Sequence, residues 1–159
     1  SLIPFIDKYF SLSENVKTLV TELETKYNLD YENIIVLFYR GNDKKTETVL
    51  KSYDDVIEKG KLLKNENPES QVLIQSDELE FVEAATKIFE DAVIFKDETR
   101  TMKKCNNSVD KCMPNNHHYV KYFLAIVKIM SQCKHVVSGS MGNIPMFISL
   151  YRGNSNNMY

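Results

Sequence analysis

The sequence has little with which to grip a nucleic acid, a metal or a membrane. Its 20 basic residues are outnumbered by 22 acidic ones, giving a formal net charge of −2. No whole-domain basic field exists to hold a nucleic-acid backbone, so no nucleic-acid partner is expected. Arginine is scarcer still, with only Arg40, Arg100 and Arg152. Any anion site must therefore be local, and each arginine is a candidate for it. No apolar run approaches the roughly 18 residues that a membrane span needs, so none is expected. The three cysteines, Cys105, Cys112 and Cys133, cannot all pair with one another, and no CxxC occurs. His117 and His118 lie near Cys112, but adjacent histidines do not converge on one ion, so no metal site is expected. The opening Ser1-Leu2-Ile3-Pro4 lacks the basic start of a signal peptide, which points to the cytoplasm. A start on serine fits a piece of a longer protein.

What is present is ordinary globular material. Hydrophobic residues make up 43% and charged residues 26% of 159 residues, enough for one domain with a real core, spanning 1–159. Apolar residues recur at helical spacing over about Leu12–Asn28, Ser52–Glu66, Glu78–Phe89, Tyr119–Cys133 and Ile144–Tyr151. Ser11 followed by Glu14 has the spacing of a capping box. Between the helices lie short runs that read as buried strands: Asn33–Tyr39, Gln71–Gln75, Ala92–Phe95 and His135–Ser138. Cys133, in an apolar helical pattern, reads as a buried thiol. Residues 100–118 form a long polar loop and 153–159 a flexible tail. In that loop Cys105 and Cys112 fit a disulfide in an oxidising compartment or free thiols in a reducing one. The sequon Asn106-Asn107-Ser108 has meaning only on a secreted chain. Strands alternating with amphipathic helices predict an α/β fold, a Rossmann-like doubly wound parallel sheet of four or five strands with helices on both faces.

In such a sheet, ligands bind beyond the carboxyl ends of the strands. All four predicted strands end in polar clusters. The first ends in Arg40-Gly41-Asn42-Asp43-Lys44. Arg40 offers planar donors suited to a phosphate, Gly41 permits close backbone approach, and Lys44 adds a charge. Arg40 as a surface residue pairing with Asp43 or Glu47 is the plainer alternative. The second ends in Ser76-Asp77-Glu78, whose carboxylates could accept bonds from guanine or ribose. Ser76 or Asp77 capping the next helix is the competing reading. The last ends in Ser138-Gly139-Ser140-Met141-Gly142-Asn143, a small-residue turn feeding a helix N-terminus, which suits an anion. It is neither a GxGxxG nor a Walker A sequence. The first strand ends in an arginine rather than an acidic cluster, which argues against a phosphorylated signalling domain.

These clusters, in this order, resemble the donor-binding half of the α1,2-, α1,6- and protein O-fucosyltransferase superfamily. That family's first motif, a strand ending His-x-Arg-x-x-Asp-(Lys/Tyr), is matched by Phe38-Tyr39-Arg40-Gly41-Asn42-Asp43-Lys44, with Phe38 in the histidine's place. Its strand ending in an acidic pair is matched by Leu73–Glu78, and its helix-strand-serine motif by Met130–Ser140. The resemblance spans about residues 30–152. It implies a GT-B glycosyltransferase whose Rossmann-like half binds GDP-fucose, or another GDP-sugar, without a metal or other cofactor. Arg40 would stabilise the leaving diphosphate, with Asp43 and Lys44 lining the pocket. Asp77 and Glu78 would form the acidic pair, Glu78 being placed for guanine. Ser138, Ser140, Met141, Gly142 and Asn143 would surround the phosphates. Asp43 and Glu47 are the nearest candidates for a base toward the acceptor hydroxyl. The implied partners are the donor, a glycan or protein acceptor, and a second Rossmann-like domain absent from this chain. A non-catalytic nucleotide-binding module is the alternative.

Overall fold

The computed structural model describes residues 3–41, 44, 48–96 and 116–159. Asp43, Glu47, Arg100, Cys105, Cys112 and the sequon lie outside the described residues, as does most of the polar loop.

Among the described residues nine elements follow one another: α1 (Ile3–Tyr9), α2 (Glu14–Tyr27), β1 (Ile34–Tyr39), α3 (Tyr53–Glu66), β2 (Gln71–Ser76), α4 (Leu79–Thr86), α5 (Asn116–Gln132), β3 (His135–Ser138) and α6 (Asn143–Arg152). A 3-10 turn, Tyr31–Asn33, leads into β1. The strands form one parallel sheet in the order β2-β1-β3. All six residues of β1 are buried, as its unbroken apolar run predicts for a central parallel strand.

Alternation along the strands divides the core into two layers. Ile34, Val36, Phe38, Leu73 and Val136 pack with α2, α5 and α6, including Val20, Ile126 and Ile148. Ile35, Leu37, Tyr39, Ile74 and Val137 face the other way and pack with Val56 and Leu63 of α3 and Phe81 and Ala85 of α4. Side chains in a strand point to opposite faces in turn, so both sides of the sheet are apolar and both are covered by helices.

The expected sheet of four or five strands is thus corrected to three among the described residues. The run Ala92–Phe95 makes only one bridge, Leu73 with Val93. The Val93 N–H donates to Val72 O (2.8 Å) and the Ile74 N–H to Val93 O (3.0 Å). The next residues leave the sheet because Phe95 is drawn into the core. Its ring meets Tyr27 edge-on at 5.1 Å, and the Tyr27 hydroxyl accepts the Lys96 N–H at 2.9 Å.

Residues 153–159, read from sequence as flexible, lie along the outer edge of β3. The Val136 N–H donates to Asn157 O, the Tyr159 N–H to Val136 O and the Ser138 N–H to Tyr159 O, at 2.8–2.9 Å. Arg152 straps this return in place. Its guanidinium donates to the carbonyls of Cys133, Lys134 and Asn156. Gly153, at φ 74°, ends α6 in the left-handed region that glycine tolerates.

One local expectation changes. The cap of α2 is Ser13, without a side-chain bond, so Ser11 and Glu14 form no capping box. The reciprocal box belongs to α3. There Ser52 Oγ accepts the Asp55 N–H at 3.1 Å, and Asp55 accepts the Ser52 N–H at 3.0 Å. Gly60, which weakens α3 on propensity alone, is a packing residue. A Cβ there would come within 2.8 Å of Leu37 Cδ2. Cys133 is buried as expected, its thiol donating to Ile129 O at 3.3 Å, and burial pushes that thiol's pKa up. No described helix is long and apolar enough to cross a membrane.

Candidate functional site at the carboxyl edge of the sheet

Strand alternation continues past the ends of β1 and β2 and sorts the polar residues there onto two faces. Arg40 follows the parity of Phe38, on the side of α5 and α6. Asp77 follows Leu73 onto the same side. Asp77 Oδ2 lies 3.9 Å from Arg40 Nε, and Asp77 Oδ1 accepts the Gly41 N–H at 3.3 Å. The Arg40 guanidinium carbon stands 5.8 Å from the centre of the Phe123 ring of α5, within cation–π range. The Arg40 Nε–H is buried, with no hydrogen-bond acceptor among the described residues. The guanidinium is therefore oriented by a charge and a ring, and half-buried where opposite charge is worth more than in water.

Glu78 goes to the other face. It is 3% exposed, and the Tyr53 hydroxyl donates to its Oε2 at 2.5 Å. Its carboxylate lies against Gly41, where a Cβ would fall 2.2 Å from Glu78 Oε1. A side chain at position 41 would therefore have to displace the Glu78 carboxylate. Burial and the Glu78 carboxylate push the Tyr53 phenol well above its ordinary pKa of 10. Burial, with the charges of Glu78 and Asp77, raises Tyr39 to about 12. Tyr53 rests edge-on against Tyr39 at 4.8 Å and Phe81 at 5.3 Å. We expect Tyr53→Phe to cost about 1–3 kcal/mol by stripping a donor from a buried carboxylate. Urea unfolding checks this against Tyr39→Phe, which loses only a bond to Lys51 O (3.1 Å) and should cost less.

Neither Ser76 nor Asp77 caps α4. Glu78 occupies the N-cap without a side-chain bond, and its N–H donates to Ser76 Oγ at 2.9 Å.

At the end of β3 the Ser138 hydroxyl closes the turn on itself, donating to Ser140 O (2.7 Å) and accepting the Ser140 N–H (3.3 Å). Both serines are buried. Gly139 carries the Tyr39 ring on its Cα, where a Cβ would meet Tyr39 Cδ2 at 2.4 Å. Met141 is 87% exposed. Gly142 is the N-cap of α6 and supplies no side-chain acceptor. The N–H groups of Asn143 and Ile144, the two that precede Pro145 in the first turn of α6, are thereby left for another acceptor, with the positive end of the helix dipole behind them. A groove of about 350 Å³ opens beside this turn, walled by Ser138, Met141, Gly142 and Met158. Lys44 stays near the β1 end through its N–H, which donates to Gly41 O at 2.7 Å.

Of the residues singled out from sequence, Arg40 and Asp77 are brought into contact. Glu78 is held apart from them on the other face, and Ser138 and Ser140 bond to each other. Tyr53 and Phe123 escaped notice. Phe123 reads as an inward helix residue and Tyr53 as a helix start, and neither pattern signals a polar partner. Among the described residues, no group of three or more His, Cys, Asp or Glu could hold a metal. No protein-family model and no curated protein matches the chain.

Proposed function

We propose that this domain binds the diphosphate of a nucleotide sugar, with GDP-fucose or another GDP-sugar as donor, and serves a fucosyltransferase-like glycosyltransferase. One observation carries the reading: Arg40 and the uncapped start of α6 belong to the same side of the sheet, at the ends of the adjacent strands β1 and β3. A diphosphate there would meet an oriented guanidinium and the N–H groups of Asn143 and Ile144 at the start of α6. The bridges at Val93 and Met158 support a Rossmann-like reading of the sheet. They extend its order to Val93, β2, β1, β3, Met158, and β1 and β3 flank the point where a doubly wound order reverses. Departure of the diphosphate in sugar transfer needs charge stabilisation, which this pair would supply without a metal. Guanine recognition by Glu78 would require the Tyr53 bond to be exchanged for the base.

That last requirement favours a second reading, a nucleotide-binding module without catalysis. Asp77 is engaged by Gly41 and Arg40, and Glu78 by Tyr53, so neither described acid stands ready as a base, and the base candidates Asp43 and Glu47 lie outside the described residues. Isothermal calorimetry with GDP, GDP-fucose, UDP and a UDP-sugar, with chelator present, tests both. GDP and GDP-fucose should bind, and the uridine compounds more weakly. Failure of every nucleotide to bind would overturn both readings. Hydrolysis of the bound donor, or its transfer to an acceptor once a partner domain is supplied, would decide for the enzyme.

A further inference from the structure

We infer that the tail strand at 157–159 is a pH-sensitive clasp, docked on β3 while His135 is neutral and released when His135 gains a proton. The geometry converges on this histidine. His135 opens β3 and is 7% exposed. The Tyr159 ring lies over it, centroids 6.1 Å apart and planes 29° apart. The Tyr159 hydroxyl is 3.5 Å from His135 Nδ1. Lys59 Nζ of α3 stands over the same tyrosine ring, 4.1 Å from its centroid. His135 Nε2 is buried with no hydrogen-bond partner among the described residues. The tail is held by three backbone bonds to Val136 and Ser138, by Arg152 through Asn156 O and by the contacts of Tyr159, and His135 is the group among these whose ordinary pKa lies near neutral.

The charges around His135 set the direction. Burial disfavours the imidazolium most. Lys134 beside it, Arg152 of α6 and Lys59 of α3 add to that, while Glu66 of α3 alone opposes them. Tyr159 faces the ring from the tail. Together they hold the pKa below its ordinary 6.5. A released tail uncovers the ring and lets it titrate near that ordinary value. The closed form therefore binds fewer protons. Docking is complete above about pH 6.5 and weakens as the pH falls through the depressed pKa. Release would also remove Met158 and Tyr159 from the wall of the 350 Å³ groove beside the start of α6. The clasp stands on the β3 edge alone and does not depend on what the carboxyl edge of the sheet binds.

Amide exchange on the intact chain, followed by NMR between pH 7.5 and 5, tests this. After correction for the intrinsic rate, the Ser138 and Tyr159 amides, which bond across the tail junction, should lose protection severalfold. The Gly139 amide, which bonds to Phe38 O within the sheet, should not. The loss should track the titration of the His135 ring read in the same samples, and H135Q should abolish it. Protection that holds to pH 5 overturns the clasp. So does an equal loss in H135Q, or a loss whose midpoint departs from the His135 titration. If H135Q does not fold, the last comparison in the native chain still decides.

Discussion

Phe81→Ala should lower stability by about 3–5 kcal/mol, the range for emptying a fully enclosed phenylalanine site. Phe81 has 0% exposure. It stacks on Tyr39 with centroids 4.9 Å apart and planes 20° apart, and takes the edge of Tyr53 at 5.3 Å. Each such ring pair adds about 0.5–1.5 kcal/mol beyond its burial. The site cannot collapse cheaply, because both partners are tethered. Tyr39 is pinned under Gly139 and bonded to Lys51 O, and Tyr53 is bonded to Glu78. Phe81→Leu keeps most of the volume and should cost about 1–2 kcal/mol. Urea unfolding followed by circular dichroism gives both numbers. A cost below about 1 kcal/mol for Phe81→Ala would mean that the rings close over the void, and the cluster would then be no brace for the Glu78–Gly41 contact.

The same cluster shows what could be read from the sequence and what could not. β1 was legible, because a run such as Ile34–Tyr39 has no stable place except between two apolar layers. The alternating faces were legible in principle too, since parity alone sends Asp77 and Glu78 to opposite sides of β2. Adjacent acids read as a pair until that parity is applied. The strand at Ala92–Phe95 misled for the opposite reason. Its composition suits a strand, but burial of Phe95 in the core, against Tyr27 among others, outweighs local propensity and takes the chain out of the sheet. The tail misled because its few polar residues carry no apolar pattern. It is held by backbone bonds and by Arg152, and neither leaves a mark in composition. Of the site, Arg40 was legible from its place after a buried strand. Its supports, Phe123 and Asp77, follow from tertiary packing of α5 and β2 against β1, which no spacing in the sequence reports.

Arg40→Ala should weaken GDP binding about 10- to 150-fold, the equivalent of the 1.5–3 kcal/mol that hydrogen bonds to a charged group are worth. The affinity should also become less sensitive to salt, since the substitution removes a charge that salt screens. Arg40→Lys restores charge without the planar fork and should recover only part of the loss. The more searching variant is Asp77→Asn. It keeps an oxygen to accept the Gly41 N–H but removes the carboxylate that faces Arg40 Nε at 3.9 Å. If Asp77 acts by orienting the guanidinium, Asp77→Asn should weaken GDP binding in the native background and leave it unchanged beside Arg40→Ala. The two effects would then fail to add. If instead the acid chiefly repels the diphosphate, Asp77→Asn should tighten binding in both backgrounds, and the positioning role fails. Unfolding measured on the same proteins separates these outcomes from a loss of the fold. Equal GDP affinity in the native protein and Arg40→Ala, with the fold intact, would remove Arg40 from the site and with it the main support for a diphosphate ligand.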